Sequence, residues 1–148
     1  MKKMFFALAL MLSSAAFAHD EGHGPKLSDT GKYGGLISGV VLKADAKKGA
    51  SAALVHKAEL VRSADGTVRV YLYNDKMAPL DLKGFDAKGS ASLGARVKGK
   101  FSETTFSLEQ KENAFVGKMP KHGAKPYNID VTLKEGSREL LTAFDNLD

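Results

Sequence analysis

The stretch that decides the fold is Pro-Tyr-Asn-Ile-Asp-Val-Thr-Leu-Lys, residues 126–134. From position 127 onward its apolar and polar side chains alternate, and the apolar set is Tyr127, Ile129, Val131 and Leu133. This alternation predicts a β-strand with one buried face, because successive side chains of a strand point to opposite sides. Glu135-Gly136 then predicts a turn into a partner strand at residues 139–144.

The same pattern recurs towards the N-terminus. Residues 54–61 and 68–73 predict a second hairpin around Asp65-Gly66, whose glycine can adopt a positive φ. Seven or eight short strands between residues 33 and 148 predict an all-β domain, an antiparallel immunoglobulin-like β-sandwich. A small closed barrel is the alternative. The other predicted strands are 36–42, 91–97, 104–108 and 114–118, with turns at 44–49, 77–79, 84–89 and 109–113.

The first eighteen residues have the pattern of an export signal. Lys2 and Lys3 precede the apolar run Met4–Leu12, and Ala16 and Ala18 give the small-x-small pattern that signal peptidases recognise. The apolar run is shorter than the roughly 20 residues that span a bilayer. We therefore predict a signal peptide at residues 1–18, cleavage after Ala18, a periplasmic location and no transmembrane segment in the mature chain.

Composition excludes several classes of protein. The chain has no cysteine, which excludes disulfides, thiolate metal sites and a lipid-anchoring cysteine. Its net charge of +5 includes the two signal-peptide lysines, so the mature chain is only mildly basic. The remaining lysines are scattered, whereas nucleic-acid binding needs a clustered basic face. We predict no nucleic-acid partner.

The predicted mature terminus is rich in metal-ligating groups. Residues 19–32 are polar, lack apolar periodicity and predict a flexible arm. A free α-amine on His19 and its imidazole can both be unprotonated at about pH 7–8, and Asp20, Glu21 and His23 could complete a shell. Such nitrogen-rich sites favour Cu²⁺ and Zn²⁺. The alternative is a solvated acidic arm that binds no metal.

Two further sets of residues could bind metal. Met77, Met119 and His122 fall in predicted loops, and thioether and imidazole donors suit copper. The alternative is that Met119 caps the core and His122 faces solvent. His56 shares a strand face with apolar residues, which favours a packed or rim histidine satisfied by one hydrogen bond; the alternative is a ligand near a strand end.

Catalysis has little support in the sequence. No serine lies in a Gly-x-Ser-x-Gly elbow, and neither His-Glu-x-x-His nor a glycine-rich phosphate loop occurs. The carboxylate pairs Asp20/Glu21 and Asp145/Asp148 lie near the two ends of the chain, where a dry pocket is not expected. We predict that the protein is not an enzyme.

Residues 33–144 resemble a family of small bacterial periplasmic β-domains associated with heavy-metal efflux, which occur alone or fused to efflux adaptor subunits. Many members have His-Gly-Gly where this chain has Tyr33-Gly34-Gly35, so the resemblance supplies no binding residue. The segments that carry it are Tyr33-Gly34-Gly35, Ala58–Val61, Gly66–Tyr73, Pro79-Leu80-Asp81, Phe115–Lys118 and the closing strand pair.

The resemblance implies an accessory protein that binds a metal ion weakly and docks on a periplasmic efflux adaptor subunit. The competing hypothesis is an interaction module that binds no metal and uses an exposed strand edge to extend a partner's sheet.

Overall fold

The structure is a computed structural model that describes residues 24–148. It confirms the predicted all-β antiparallel fold with eight strands. Two 3₁₀ segments, Lys43–Ser51 and Leu82–Gly84, accompany the strands, and no helix within residues 24–148 is long and apolar enough to cross a membrane. The strands are β1 Leu36–Leu42, β2 His56–Arg62, β3 Thr67–Tyr73, β4 Lys88–Val97, β5 Lys100–Lys111, β6 Ala114–Lys118, β7 Tyr127–Glu135 and β8 Arg138–Leu147.

The strands form one closed barrel in the order β1-β2-β3-β6-β5-β4-β7-β8. Closure depends on the first and last strands, which pair at Val41↔Leu141 and Leu42↔Leu140. The prediction of an immunoglobulin-like sandwich is therefore corrected to the barrel that was its alternative. Both architectures bury one face of each strand, so the alternation in the sequence does not distinguish them; the pairing of the two most distant strands does.

The core fills the inside of the barrel. The alternating residues of β7 all point into it, as predicted, and each is at most 6% exposed. They pack against Leu60, Leu108 and Phe115 from other strands. Burying one such large side chain contributes roughly 1.5–3 kcal/mol, so the interior strands supply most of the stability in the absence of disulfides.

The barrel has two distinct ends. The hairpin end carries the turn between β4 and β5, the turn 63–66, the loop 119–126 and the C-terminus, as the pairs Ala95↔Tyr127 and Thr67↔Lys118 require. The opposite end carries both 3₁₀ segments and the turns that follow β3, β5 and β7.

The hairpin β4–β5 differs most from the sequence-based expectation. β4 begins at Lys88 instead of at residue 91, and β5 runs from Lys100 to Lys111 instead of covering 104–108 only. Lys98 and Gly99, with φ of 50° and 77°, form the two-residue turn that joins the strands. Residues 100–103 lack apolar alternation, which is why the sequence understates β5.

Candidate functional site

Residues 24–35, here called the N-terminal strap, lie on the outer face of the barrel over β1–β3. The Asp29 carboxylate is 2.8 Å from the Lys57 ammonium, and only 8% of Lys57 is exposed. Gly24 is so close to Val41 that an added Cβ would lie 2.8 Å from its Cγ1. Most of the strap belongs to the segment predicted as a flexible arm, and these contacts hold that part on the barrel.

A buried carboxylate anchors the strap. Glu59 lies at an outward-facing position of β2, yet it is 0% exposed because the strap covers it. Its Oε1 accepts hydrogen bonds from the N–H groups of Tyr33 and Gly35, both at 2.8 Å. Its Oε2 accepts one from the Lys32 N–H at 2.9 Å and one from the Tyr73 hydroxyl at 2.7 Å. Four donors from the chain therefore satisfy this carboxylate.

Two positions around this anchor require glycine, because a side chain there would collide with neighbouring atoms. A Cβ on Gly31 would lie 2.3 Å from Glu59 Oε1, and one on Gly35 would lie 2.4 Å from the carbonyl oxygen of Leu60. Between them the ring of Tyr33 stacks on Tyr71 with 4.0 Å between centroids. The segment Tyr33-Gly34-Gly35 thus closes the strap over Glu59, and its contacts are structural.

The anchor shifts the pKa values of both its acids. Burial raises the pKa of Glu59, but the hydrogen bonds from Tyr73, Gly35, Tyr33 and Lys32 more than offset burial and leave that pKa below its usual value. Burial, together with donation to the Glu59 carboxylate, raises the pKa of the Tyr73 hydroxyl well above its usual range. Glu59 is thus held ionised and Tyr73 protonated, and neither is poised to exchange a proton near neutral pH.

The predicted ligands of the mature terminus, His19, Asp20, Glu21 and His23, lie outside the described residues. The structure begins at Gly24.

The structure does not bring Met77, Met119 and His122 together. Met77 lies in the turn after β3 at the opposite end of the barrel, with φ of 61°. The Met119 N–H donates to the carbonyl of Gly66, just before β3 begins at the hairpin end. The seven residues of β3 separate the two methionines by about 20 Å.

Met119 and His122 do share a cleft at the hairpin end, lined also by residues 64–66. Met119 packs against the core, as its alternative interpretation expects. The His122 ring packs on Tyr127 with 4.3 Å between centroids, and its Nδ1 is buried without a hydrogen-bond partner among the described residues. One thioether and one unpaired imidazole nitrogen are therefore neighbours.

His56 has a partner at the opposite end of the barrel. Its Nε2 lies 3.1 Å from a Glu135 carboxylate oxygen, and Arg138 binds the same carboxylate. Burial raises the pKa of Glu135, while the bonds from His56 and Arg138 outweigh burial and lower it overall. His56 is thus a rim histidine held by a hydrogen bond to Glu135. Across residues 24–148, no group of three or more His, Asp or Glu side chains is arranged to hold a metal ion.

The most distinctive surface is the open edge of β5. β6 pairs with β5 only from Leu108 to Lys111, and β4 covers the other side along the whole strand. Residues Lys100–Phe106, here called the β5 edge, are therefore paired on one side only within the described chain. Six of these seven residues are exposed, all except Phe106.

The turn geometry assigns the free backbone groups of the β5 edge. A two-residue turn makes the flanking residues Val97 and Lys100 a hydrogen-bonded pair, so even-numbered residues of β5 bond to β4. The N–H and C=O groups of Glu103 and Thr105 then point away from β4 into solvent. This array can accept a strand.

No family model, no curated protein and no solved structure matches this chain.

Sequence reasoning missed two features of the molecule, the burial of Glu59 and the open β5 edge. Glu59 occupies a polar position of an alternating strand, which predicts an exposed side chain. The glycines at 31 and 35 are the sequence feature that could have indicated a segment packed closely over it. The β5 edge was missed because its exposure depends on β6 being shorter than β5, five residues against twelve.

Proposed function

We propose that the protein is a non-catalytic periplasmic accessory protein that docks on a partner protein by adding a strand to the β5 edge. The observation that carries the proposal is the row of outward backbone groups at Glu103 and Thr105, which no neighbouring strand of the described chain pairs, in an otherwise closed barrel. Strand addition uses such groups for affinity and neighbouring side chains for specificity.

The side chains of the β5 edge favour a foreign partner over self-association. Pairing two copies of the β5 edge antiparallel and centred on Glu103 would place two like charges directly opposite, which is destabilising. Charged side chains on an edge strand commonly prevent this kind of self-pairing. A partner strand with a polar or basic residue opposite Glu103 avoids the repulsion.

The resemblance to efflux-associated β-domains supports a periplasmic efflux adaptor subunit as the partner. In that arrangement the barrel is a rigid module and the β5 edge is its contact.

The proposal is tested by photo-crosslinking in the periplasm of the native cell. A photoreactive residue at Glu103 should crosslink one discrete protein, and the same residue at Lys83, exposed at the opposite end, should not. Adding Thr105→Pro removes an outward N–H without breaking a bond to β4 and should abolish the crosslink. Thr105→Ala, which keeps that N–H, should retain it. Crosslinking that survives Thr105→Pro, or none at all in wild type, would refute strand addition.

A second candidate function is weak metal binding linked to efflux, through the terminal ligands His19, Asp20, Glu21 and His23 or through the cleft of Met119 and His122. The observation that favours it is the unpaired Nδ1 of His122 beside a thioether. Thioether donors select Cu(I), and imidazole suits Cu and Zn.

Titrating Cu(I), Cu²⁺ and Zn²⁺ into three forms of the protein separates the two metal sites. The forms are the mature chain beginning at His19, the same chain without residues 19–24, and the mature chain with Met119→Leu. Loss of Cu²⁺ and Zn²⁺ binding on truncation supports the arm, and loss of Cu(I) binding with Met119→Leu supports the cleft. No binding by the mature chain eliminates metal binding.

A further inference from the structure

The tip of the β4–β5 hairpin, residues Arg96–Phe101, projects beyond the rest of the barrel. β7 pairs with β4 only as far as Ala95, and β6 reaches β5 only at Leu108. All six tip residues are exposed. The tip is therefore the part of the described chain that would first meet a flat surface at the hairpin end.

The tip combines cations with large apolar side chains. Within residues 24–148, no ion pair involves Arg96, Lys98 or Lys100. Val97 and Phe101 are each 52% exposed, two of the four large apolar side chains that stand out on the described surface. From Ala87 to Ser102 the chain has no acidic residue, so the hairpin tip itself contains nothing that offsets its positive charge.

The two apolar side chains lie on opposite faces of the hairpin. Val97 is opposite Lys100 and shares its face, while Phe101 is opposite Arg96 and shares the other face. A protein surface that covered one face would leave the other in water. Immersing the tip in the headgroup region of a bilayer buries both side chains and keeps the cations at the level of the phosphates.

We propose that the hairpin tip docks on membranes of anionic phospholipid, with Val97 and Phe101 entering the interface and Arg96, Lys98 and Lys100 binding the headgroup phosphates. This docking would hold the barrel at a membrane surface and orient the adjoining β5 edge along it. It does not depend on the proposed strand addition, which uses backbone groups of the same strand but a different partner.

The binding test is co-sedimentation with vesicles of phosphatidylcholine containing about one quarter phosphatidylglycerol. Wild type should bind these vesicles, bind pure phosphatidylcholine far more weakly and dissociate as salt rises. The variant Arg96→Gln/Lys98→Gln/Lys100→Gln should bind on the order of 100-fold more weakly, about fivefold per charge.

The matched control changes the same number of charges at the opposite end of the barrel, as Lys47→Gln/Lys76→Gln/Lys83→Gln. This control should retain most of the binding. Equal losses in the two triple variants would mean that overall charge, and not the tip, drives binding. That result, or equal binding to both kinds of vesicle, or no binding by wild type, would overturn the proposal.

Insertion is tested by fluorescence, because the chain contains no tryptophan. Val97→Trp should show a blue-shifted emission on the anionic vesicles, and Lys83→Trp should not. An unshifted Val97→Trp spectrum with vesicles bound would contradict entry of the tip into the interface.

Discussion

At the scale of single residues, one carboxylate fixes the path of the chain into the barrel. Glu59 accepts hydrogen bonds from three backbone N–H groups of the strap, those of Lys32, Tyr33 and Gly35, and one from the Tyr73 hydroxyl of β3. The strap has no regular secondary structure, so its position depends on these hydrogen bonds and on the Asp29–Lys57 ion pair. Changes at Glu59 should therefore affect stability strongly.

Glu59→Gln should lower the free energy of unfolding by about 2–4 kcal/mol, because the new amide group faces the Lys32 N–H and leaves a buried donor unpaired. Urea unfolding of this variant and of Glu139→Gln, an exposed control, measures the difference. Amide exchange at Tyr33 and Gly35 should quicken in the Glu59 variant alone. A loss no greater than that of the control would show that the anchor is not needed.

The lowered pKa values of Glu59 and Glu135 predict an acid-dependent stability. In the unfolded chain each carboxyl has its ordinary pKa of 4.5, above its folded value, so below pH 4.5 the unfolded state binds more protons. Their stabilisation is complete above that pH and is lost as pH falls through the folded pKa values.

Urea midpoints between pH 7 and pH 3 should thus be level at first and then fall below about pH 4.5. Glu135→Gln should flatten part of this fall. A wild-type midpoint that rose on acidification would contradict the assignment of these two carboxylates.

At the scale of elements, the β4–β5 hairpin depends on its turn. Gly99 has a φ of 77°, which an alanine adopts only with strain. Gly99→Ala should destabilise the protein by about 1 kcal/mol, measured by urea unfolding. Gly123→Ala is the matched control, since Gly123 has no positive φ and an added Cβ there would meet nothing within 4 Å. Equal effects of the two substitutions would contradict the turn assignment.

The elements differ in how far the sequence predicts them. β1 and β6 begin and end at the residues that the sequence predicts, 36–42 and 114–118. β5 is different, since its first six residues are exposed and carry no apolar alternation. An exposed strand segment gives no alternation signal in its side chains, and the lack of a covering neighbour also leaves its edge open.

At the scale of the whole molecule, the sequence predicts the fold class but not the closure. Closure requires Val41 and Leu42 to pair with residues about a hundred positions away, at Leu141 and Leu140. A local pattern carries no information about such a pairing. Met77 was grouped with Met119 and His122 for the same reason, because loops at opposite ends of the barrel cannot be told apart before the strand directions are known.

Residues 24–148 form a closed barrel whose hairpin end concentrates the surfaces proposed for binding. The β5 edge, the basic tip and the cleft of Met119 and His122 all lie there, while the opposite end is occupied by 3₁₀ segments and ion pairs. We expect partner and membrane contacts to be confined to the hairpin end.

The most direct test of the open β5 edge is amide hydrogen exchange, resolved residue by residue by NMR, on the free protein. An open edge predicts alternation along β5: slow exchange at Ser102, Thr104 and Phe106, whose N–H groups bond to β4, and fast exchange at Glu103 and Thr105. Uniform protection across residues 102–106 would mean that the edge is covered, and it would contradict the proposed docking by strand addition.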